Sequence, residues 1–144
     1  MCHIVYLGLG SNLGDRQAYI QKAIRLFAER VGVLSAVSNF YESPSWGYIS
    51  ANNYLNVAVK VETTLKPEAL LAVTQEIERA VGRQQKTTQG EYCDREIDID
   101  ILLYDNLTIS TANLTIPHPL MHQRPFVLHP LAEITPSTAN FFQP

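Results

Sequence analysis

Two stretches with helical periodicity, each lying between strand-like stretches, constrain the fold of this chain more than any other feature. From Arg16, apolar residues recur at helical spacing as far as Val31, and Gly32 is suited to end the helix. A second helical stretch has Pro67 in its first turn and ends at Gly82. Strand-like alternation or β-rich composition predicts strands at residues 3–9, 33–43, 54–63 and 95–104.

The resulting order, β-α-β-β-α-β, predicts an α+β fold with a ferredoxin-like core. In that arrangement two helices pack on one face of an antiparallel sheet, and we expect the other face to be free for a site. A turn with a short strand (residues 104–109) and a loop with a short helix (residues 116–134) are expected as a C-terminal extension. A length of 144 residues suits one domain that spans the whole chain.

Composition excludes several classes of function. The net charge of −3 implies no general affinity for nucleic acid or for an anionic membrane surface. No apolar run approaches the roughly 20 residues of a membrane span, and the N-terminus lacks the pattern of a signal peptide. Cys2 and Cys93 match no metal-binding spacing, so we expect reduced thiols in a cytoplasmic protein.

An unusual feature of the last predicted strand is a pair of carboxylates, Asp98 and Asp100. Residues two apart in a strand share a face, with Cα atoms roughly 6.5–7 Å apart. Glu96 is expected on the same face, and the intervening isoleucines on the face towards the helices. Carboxylates this close repel each other, and a Mg²⁺ pair about 3.5–4 Å apart could be bridged by them. The alternative is a solvated polar face of an edge strand.

Three cations, Arg83, Lys86 and Arg95, lie on or beside a polar loop that immediately precedes the carboxylate pair. Arginine and lysine suit triphosphate oxygens, the first as a planar fork and the second as a point charge. Any one of them alone is explained equally well as a surface charge. Together with the carboxylates, they predict a site for a nucleotide and a metal.

The glycine-rich segment at residues 8–14, "GLGSNLG", follows the first strand and precedes a helix. Its spacing does not match the dinucleotide fingerprint G-x-G-x-x-G, and the chain has no P-loop motif. We expect Gly10 to allow close approach of the backbone and Asn12 to anchor a loop.

Aromatic and amide side chains form a further candidate set. Trp46 lies in a loop, Tyr54 and Asn56 share one face of a strand, and Phe126 follows Arg124 in a proline-rich segment. A flat heterocycle with polar edges would need aromatic faces and an amide group. The alternative is that the aromatic residues belong to the core. A lone histidine such as His118 is more often structural than catalytic.

Taken together, these motifs resemble the 6-hydroxymethyl-7,8-dihydropterin pyrophosphokinases of folate biosynthesis. The resemblance covers nearly the whole chain and rests on "GSNLGD", "FYESP", "YLNVAV", "QEIERAVGR", "DREIDIDILLYD" and "LTIPHPLMHQRPFVLHPL". It implies a ferredoxin-like core and transfer of the pyrophosphoryl group of ATP to the pterin hydroxymethyl oxygen, with release of AMP. The implied partners are these small molecules, with no nucleic acid and no membrane.

The resemblance also implies roles for individual residues. Asp98 and Asp100 correspond to the ligands of two Mg²⁺ ions and, with Arg83 and Arg95, to the catalytic positions. The implied ATP contacts are Gln75, Glu78, Arg83, Lys86, Arg95, Ile101, His118 and Arg124. The implied pterin contacts are Ser43, Pro44, Trp46, Tyr54, Asn56, Tyr92 and Phe126. One departure is Gln85, where many relatives carry a second arginine.

Three other interpretations stay open at this stage. A ferredoxin-like module that binds a pterin or a nucleotide without catalysis would need neither the aspartate pair nor the cations of the loop. An RNA-binding module would need exposed aromatic residues and a basic sheet face. Another two-metal nucleotidyl or phosphoryl transferase on the same core would differ in its product.

Overall fold

The computed structural model describes residues 2–45, 52–82 and 96–135. Its elements are β1 (His3–Ser11), α1 (Arg16–Arg30), β2 (Gly32–Val37), β3 (Tyr41–Ser43), β4 (Tyr54–Thr63), α2 (Pro67–Val81), β5 (Asp98–Tyr104), β6 (Ile109–Ser110), β7 (Thr115–Ile116), a 3₁₀ turn (Met121–Gln123) and α3 (Pro125–Ile134).

The main sheet is antiparallel and has the order β2-β4-β1-β5, with β3 also pairing with β4. Helices α1 and α2 pack on one face, where Leu7 and Val59 of the sheet join Phe27 of α1 and Ile77 of α2 in one buried cluster. The predicted class, α+β with a ferredoxin-like core, is confirmed. Strand β4 has the predicted bounds, and its alternate apolar residues face the helices as expected.

Both helices form because their apolar stripes are buried and their first turns are suited to helix initiation. In α1 the Asp15 carboxylate accepts a hydrogen bond from Ala18 N at 3.1 Å, which satisfies a free N–H of the first turn. Helix α1 ends at Arg30 with Val31 as its C-cap, so Gly32 lies just past the helix end as expected, and it is also the first residue of β2. A Cβ there would lie 1.9 Å from Glu62 O, so glycine is required by the approach of β4.

Two strand boundaries differ from the prediction. β1 continues to Ser11, because Gly10 and Ser11 still pair with β4. The single strand expected at 33–43 is two strands, β2 and β3. At the break, Ser38 N donates to Ala58 O at 2.9 Å while Ala58 N donates to Ser38 Oγ at 2.9 Å. The serine hydroxyl thus takes a backbone position in the ladder, which local periodicity does not reveal.

The second face of the sheet is partly covered, contrary to the expectation that it would be free. Helix α3 packs Val127 and Leu131 against Tyr6, Ala58 and Leu102 of the sheet. Strand β7, which pairs with β6, was also not predicted. The uncovered part of this face lies beside the first residues of β5. Among the described residues, no helix has the length and apolar character needed to cross a membrane.

Candidate active site

A pocket lies over the uncovered part of the sheet. Its floor is formed by β1, whose residues on this face at the pocket are glycines and therefore carry no side chains. Gly10 pairs with Asn56 of β4 on one side and with Asp98 of β5 on the other. Gly8 pairs in the same way with Ala58 and Asp100. Paired residues share a face of the sheet, so the two glycines leave an open strip between Asn56 and the two aspartates. The pocket lining within the described residues is Gly8, Leu9, Gly10, Tyr54, Asn56, Val57, Ala58, Asp98, Asp100, Leu102, Arg124, Phe126 and Val127.

The aspartates face this pocket because the alternating isoleucines of the strand face the helices. Ile99 and Ile101 are buried in the core beneath the sheet, whereas Asp98 and Asp100 are half-buried and line the pocket. The prediction that Glu96 shares their face is wrong. Glu96 precedes β5, and its carboxylate lies within 3.0 Å of the position that a Cβ of Gly82 would occupy, close to Tyr19 of α1.

His118 lies beside the carboxylate pair. Its Nε2 atom is 3.8 Å from Asp100 Oδ1, which is too long for a hydrogen bond. Its Nδ1 atom accepts a hydrogen bond from Leu120 N at 3.3 Å, so in the neutral ring Nε2 carries the hydrogen. Burial lowers the pKa of His118 and the charge of Arg124 lowers it further, against the opposing effect of Asp98. The ring is therefore a neutral donor at pH 7, directed towards the carboxylates.

Arg124 and Phe126 enter the pocket from the start of α3. Arg124 is the residue that precedes the helix, and its guanidinium carbon lies 5.8 Å from the centre of the Phe126 ring. Arg124 is 9% exposed and lines the same pocket as Asp98 and Asp100, so the protein places a positive charge in this pocket.

The opposite wall of the pocket is formed by Tyr54 and Asn56 of β4. The Tyr54 ring and Asn56 Oδ1 both lie 3.3 Å from the position that a Cβ on Gly10 would take, as expected for a close approach at this glycine. Ser43 is buried and contacts Asn56, and Pro44 is exposed. Tyr54, Asn56 and Phe126 thus contribute aromatic faces and an amide to one pocket.

The positions implied for the nucleotide are located on both sides of β5. On α2, Gln75 is exposed, whereas Glu78 is buried and accepts a hydrogen bond from Ile99 N at 2.8 Å. Glu78 therefore contacts the main chain between the two aspartates. Ile101 faces the helices, away from the pocket described above.

Seven of the residues singled out from the sequence lie outside the described part of the chain. They are Trp46, Arg83, Gln85, Lys86, Tyr92, Cys93 and Arg95. Their implied roles stay predictions.

The donor set of the pocket suits one kind of metal ion. Within residues 2–45, 52–82 and 96–135, no three or more histidine, cysteine, aspartate or glutamate side chains are grouped as a metal cage. Mg²⁺ is commonly held by one or two carboxylates together with water and substrate phosphates. Asp98 and Asp100 fit that mode, because they face an open pocket in which phosphate oxygens could complete the coordination.

Sequence reasoning missed the part of the pocket formed by small and apolar residues. Gly8 was noted only for its spacing, although the absence of a side chain there makes room for Leu102, which lines the pocket. The signal was available: Gly8 and Gly10 alternate in a strand, so both lack a side chain on the same face. The apolar wall at Leu102 and Val127 depends on the docking of α3, for which the sequence carries no local signal.

Comparison with protein families gives a match over almost the whole chain. The model described as 7,8-dihydro-6-hydroxymethylpterin-pyrophosphokinase (HPPK) matches residues 6–136. This chain belongs to the HPPK family. The resemblance noted in the sequence is thereby confirmed.

Curated HPPK relatives are similar along most of their own length. A 2-amino-4-hydroxy-6-hydroxymethyldihydropteridine pyrophosphokinase of Porphyromonas gingivalis is 47% identical over 134 residues, which cover 92% of this chain and 91% of the relative. The enzyme of the same name from Aquifex aeolicus is 45% identical over 136 residues, covering 94% and 82%.

Among solved structures, a wild-type Plasmodium falciparum HPPK-DHPS with pterin and p-hydroxybenzoate has a TM-score of 0.75 and 16% identity. The match covers 99% of this chain and 40% of that longer chain. At this identity it supports the HPPK fold alone.

Proposed function

We propose that the pocket over Gly8 and Gly10 is where this HPPK carries out its reaction. The protein is a pyrophosphokinase of folate biosynthesis: it transfers the pyrophosphoryl group of ATP to the hydroxymethyl group of 6-hydroxymethyl-7,8-dihydropterin, giving AMP and the pterin diphosphate. The observation that carries the proposal is the pairing Asn56–Gly10–Asp98. This pairing places the Asn56 amide, which suits a heterocycle, on one side of Gly10, and the Asp98 carboxylate, which suits a metal ion, on the other side.

The pocket is divided between the two substrates in this proposal. The pterin ring lies between Tyr54, Asn56 and Phe126, whose aromatic faces and amide suit a flat ring with polar edges. Its hydroxymethyl group then points across the glycine floor towards Asp98 and Asp100. Ser43, Pro44, Trp46 and Tyr92 are proposed as further pterin positions.

The triphosphate of ATP lies on the aspartate side. Arg124 contributes a buried positive charge there, and the neutral His118 contributes a donor. Arg83, Lys86 and Arg95 are proposed to contact phosphate oxygens, with Arg83 and Arg95 stabilising the charge that develops during transfer. Gln75 and Glu78 are proposed for the nucleoside part, with Ile101 contributing main-chain groups, because its side chain is buried in the core. Most of the rate acceleration then comes from positioning the hydroxyl and the phosphates in line.

Asp98 and Asp100 would hold two Mg²⁺ ions together with phosphate oxygens. When bound, Mg²⁺ neutralises phosphate charge and makes the attacking hydroxyl more acidic. A cytoplasmic location, expected from the composition, stays a prediction.

The test is a product assay with purified protein, ATP, Mg²⁺ and 6-hydroxymethyl-7,8-dihydropterin. We expect AMP to appear one-for-one with the pterin diphosphate, and only when pterin and metal are both present. Asp98→Asn and Asp100→Asn should each lower kcat by about a hundredfold or more, because each removes a negative charge proposed to hold the metal ions at the transferred group. Both variants should still show a cooperative thermal unfolding transition, because neither change affects the core.

Three results would contradict the proposal. ADP in place of AMP would reassign the chemistry to single phosphoryl transfer by another two-metal transferase. Near-normal rates in both asparagine variants would remove the metal assignment. Pterin binding without turnover of ATP would favour the non-catalytic module.

A further inference from the structure

The side chain of Asn56 is held in one orientation by two hydrogen bonds from its nitrogen. Asn56 Nδ2 donates to the backbone oxygen of Tyr41 at 2.9 Å and to Ser43 Oγ at 2.9 Å. Asn56 is 4% exposed and Ser43 is 7% exposed, so water does not compete readily for either bond. An amide nitrogen has two hydrogens to donate, and both are used within the protein.

The chemistry of the two acceptors fixes which end of the amide faces them. A backbone carbonyl can only accept, so the atom facing Tyr41 O must be Nδ2 and not Oδ1. A rotated amide would set Oδ1 against another oxygen and leave buried groups without their hydrogen bonds. The Ser43 hydroxyl accepts the second N–H and thereby holds the amide plane in place.

As a consequence, Asn56 offers the pocket an acceptor only. Its Oδ1 lies over the glycine floor, 3.3 Å from the position that a Cβ of Gly10 would take. The Ser43 hydroxyl lies on the other side of the amide, and Ser43 does not contribute to the lining of the pocket within the described residues. The register places Ser43 for this contact, because Tyr41 pairs with Asn56 and Ser43 with Tyr54.

We propose that Ser43 is a positioning residue: together with Tyr41 O, it orients Asn56 so that Oδ1 faces the pocket and selects heterocycles with an N–H at that edge. This inference rests on the proposed function for the identity of the heterocycle, the dihydropterin. It gives Ser43 a role through Asn56, in place of direct contact with the ring. A ring with only hydrogen-bond acceptors at that edge would place an acceptor atom against Asn56 Oδ1, and it would therefore bind weakly.

The first measurement follows the Asn56 side-chain amide by NMR in ¹⁵N-labelled protein without ligands, with its signals assigned by their loss in Asn56→Ala. In the wild type and in Ser43→Thr, which keeps the hydroxyl, we expect slow hydrogen exchange at both amide hydrogens. In Ser43→Ala we expect exchange faster by about fivefold or more, as for the loss of one hydrogen bond. Fast exchange in the wild type would overturn the proposal, and would do so even if Ser43→Ala failed to fold.

The second measurement compares the affinities for the two substrates by calorimetry. Ser43→Ala should raise the Kd for 6-hydroxymethyl-7,8-dihydropterin by about fivefold, with the Kd for ATP within twofold of the wild type. Ser43→Thr should restore pterin affinity. Ser35→Ala is the control, because it removes a strand hydroxyl that donates to Lys60 O on β4 at 3.2 Å, at an exposed position away from the pocket. Equal losses for ATP and pterin, or no rescue by threonine, would overturn the inference.

Failure of this inference and failure of the proposed function give different results. An active enzyme that releases AMP while its Asn56 amide exchanges freely contradicts the inference alone. A protected amide and tight pterin binding in a protein that makes no AMP contradict the proposed function, and the orientation of Asn56 then still stands.

Discussion

At the scale of single residues, the absence of side chains matters as much as their chemistry. Gly8 and Gly10 sit on the central strand, where larger residues would fill the space between Asn56 and the aspartates. Around this space the protein places groups whose state is fixed in advance: an amide held by two hydrogen bonds, a neutral histidine and a buried arginine. Such preorganisation lowers the cost of aligning two charged substrates.

Gly10→Ala tests this description. The added Cβ would lie 3.3 Å from both the Tyr54 ring and Asn56 Oδ1, so one of these must move. We expect the Kd for the pterin to rise about tenfold, within the usual cost of overpacking, while ATP affinity changes little. In Gly8→Ala the nearest atoms are the terminal methyl groups of Leu102, which can shift, so a smaller effect is expected. Equal pterin affinity in Gly10→Ala and the wild type would contradict this prediction.

At the scale of elements, the far ends of β1 and β5 are joined by one turn residue. Asp105 follows β5 with a positive φ of 49°, and its carboxylate accepts hydrogen bonds from Ile4 N and His3 Nδ1, both at 2.7 Å. Burial raises the pKa of Asp105, but the bonds from Ile4 and His3 outweigh it and hold the pKa below its ordinary value. The ionised carboxylate therefore stabilises the fold at neutral pH.

Asp105→Asn should lower the free energy of unfolding at pH 7 by about 1 kcal/mol, since it weakens charge-assisted hydrogen bonds at a site that solvent partly screens. Asparagine tolerates the positive φ, so backbone strain does not contribute. Because the pKa is lower in the folded state, the contribution is present above the ordinary aspartate pKa and is lost as pH falls below it. Urea unfolding from pH 7 to pH 3 should show the two proteins converging; a constant difference would contradict the assignment.

At the scale of the whole molecule, the sheet separates a core from a site. Helices α1 and α2 cover one face, and α3 covers only part of the other while bringing Arg124 and Phe126 to the pocket. Docking of α3 therefore affects both stability and pterin binding, whereas docking of α2, which carries no residue proposed for the pterin, should leave pterin binding largely unchanged.

Leu131→Ala and Leu70→Ala separate these two effects. Both leucines are fully buried, in α3 and α2 respectively, so each change should lower the free energy of unfolding by about 2–5 kcal/mol. Only Leu131→Ala should also raise the pterin Kd severalfold, because α3 begins at the pocket. The measurement is calorimetric affinity together with urea unfolding, at a temperature where both variants are folded. Equal losses of pterin affinity in both variants would indicate that lower overall stability, and not the docking of α3, reduces pterin binding.

The sequence predicted what is local and missed what depends on docking. Strand 54–63 and the facing of Asp98 and Asp100 follow from a period of two, which the sequence shows directly. The break at Ser38 and the turn of Glu96 towards Tyr19 depend on partners distant in the chain. Helix α3 covers the second face through tertiary contacts of its apolar residues. The sequence alone does not indicate whether these residues pack on the sheet or lie in a loop.

The alternation of β5 also limits how this part of the chain can change in length. In residues 98–101, Ile99 and Ile101 pack beneath the sheet and Asp98 and Asp100 face the pocket, whereas the register shift beyond them places both Leu102 and Leu103 on the α3 side. Loss or gain of one residue would exchange the two sets, so carboxylates would enter the core and isoleucines the site. Substitutions on one face leave the other intact, but an insertion or deletion of one residue removes fold and catalysis together. Length is therefore a stricter constraint on residues 98–101 than the identity of any one of their side chains.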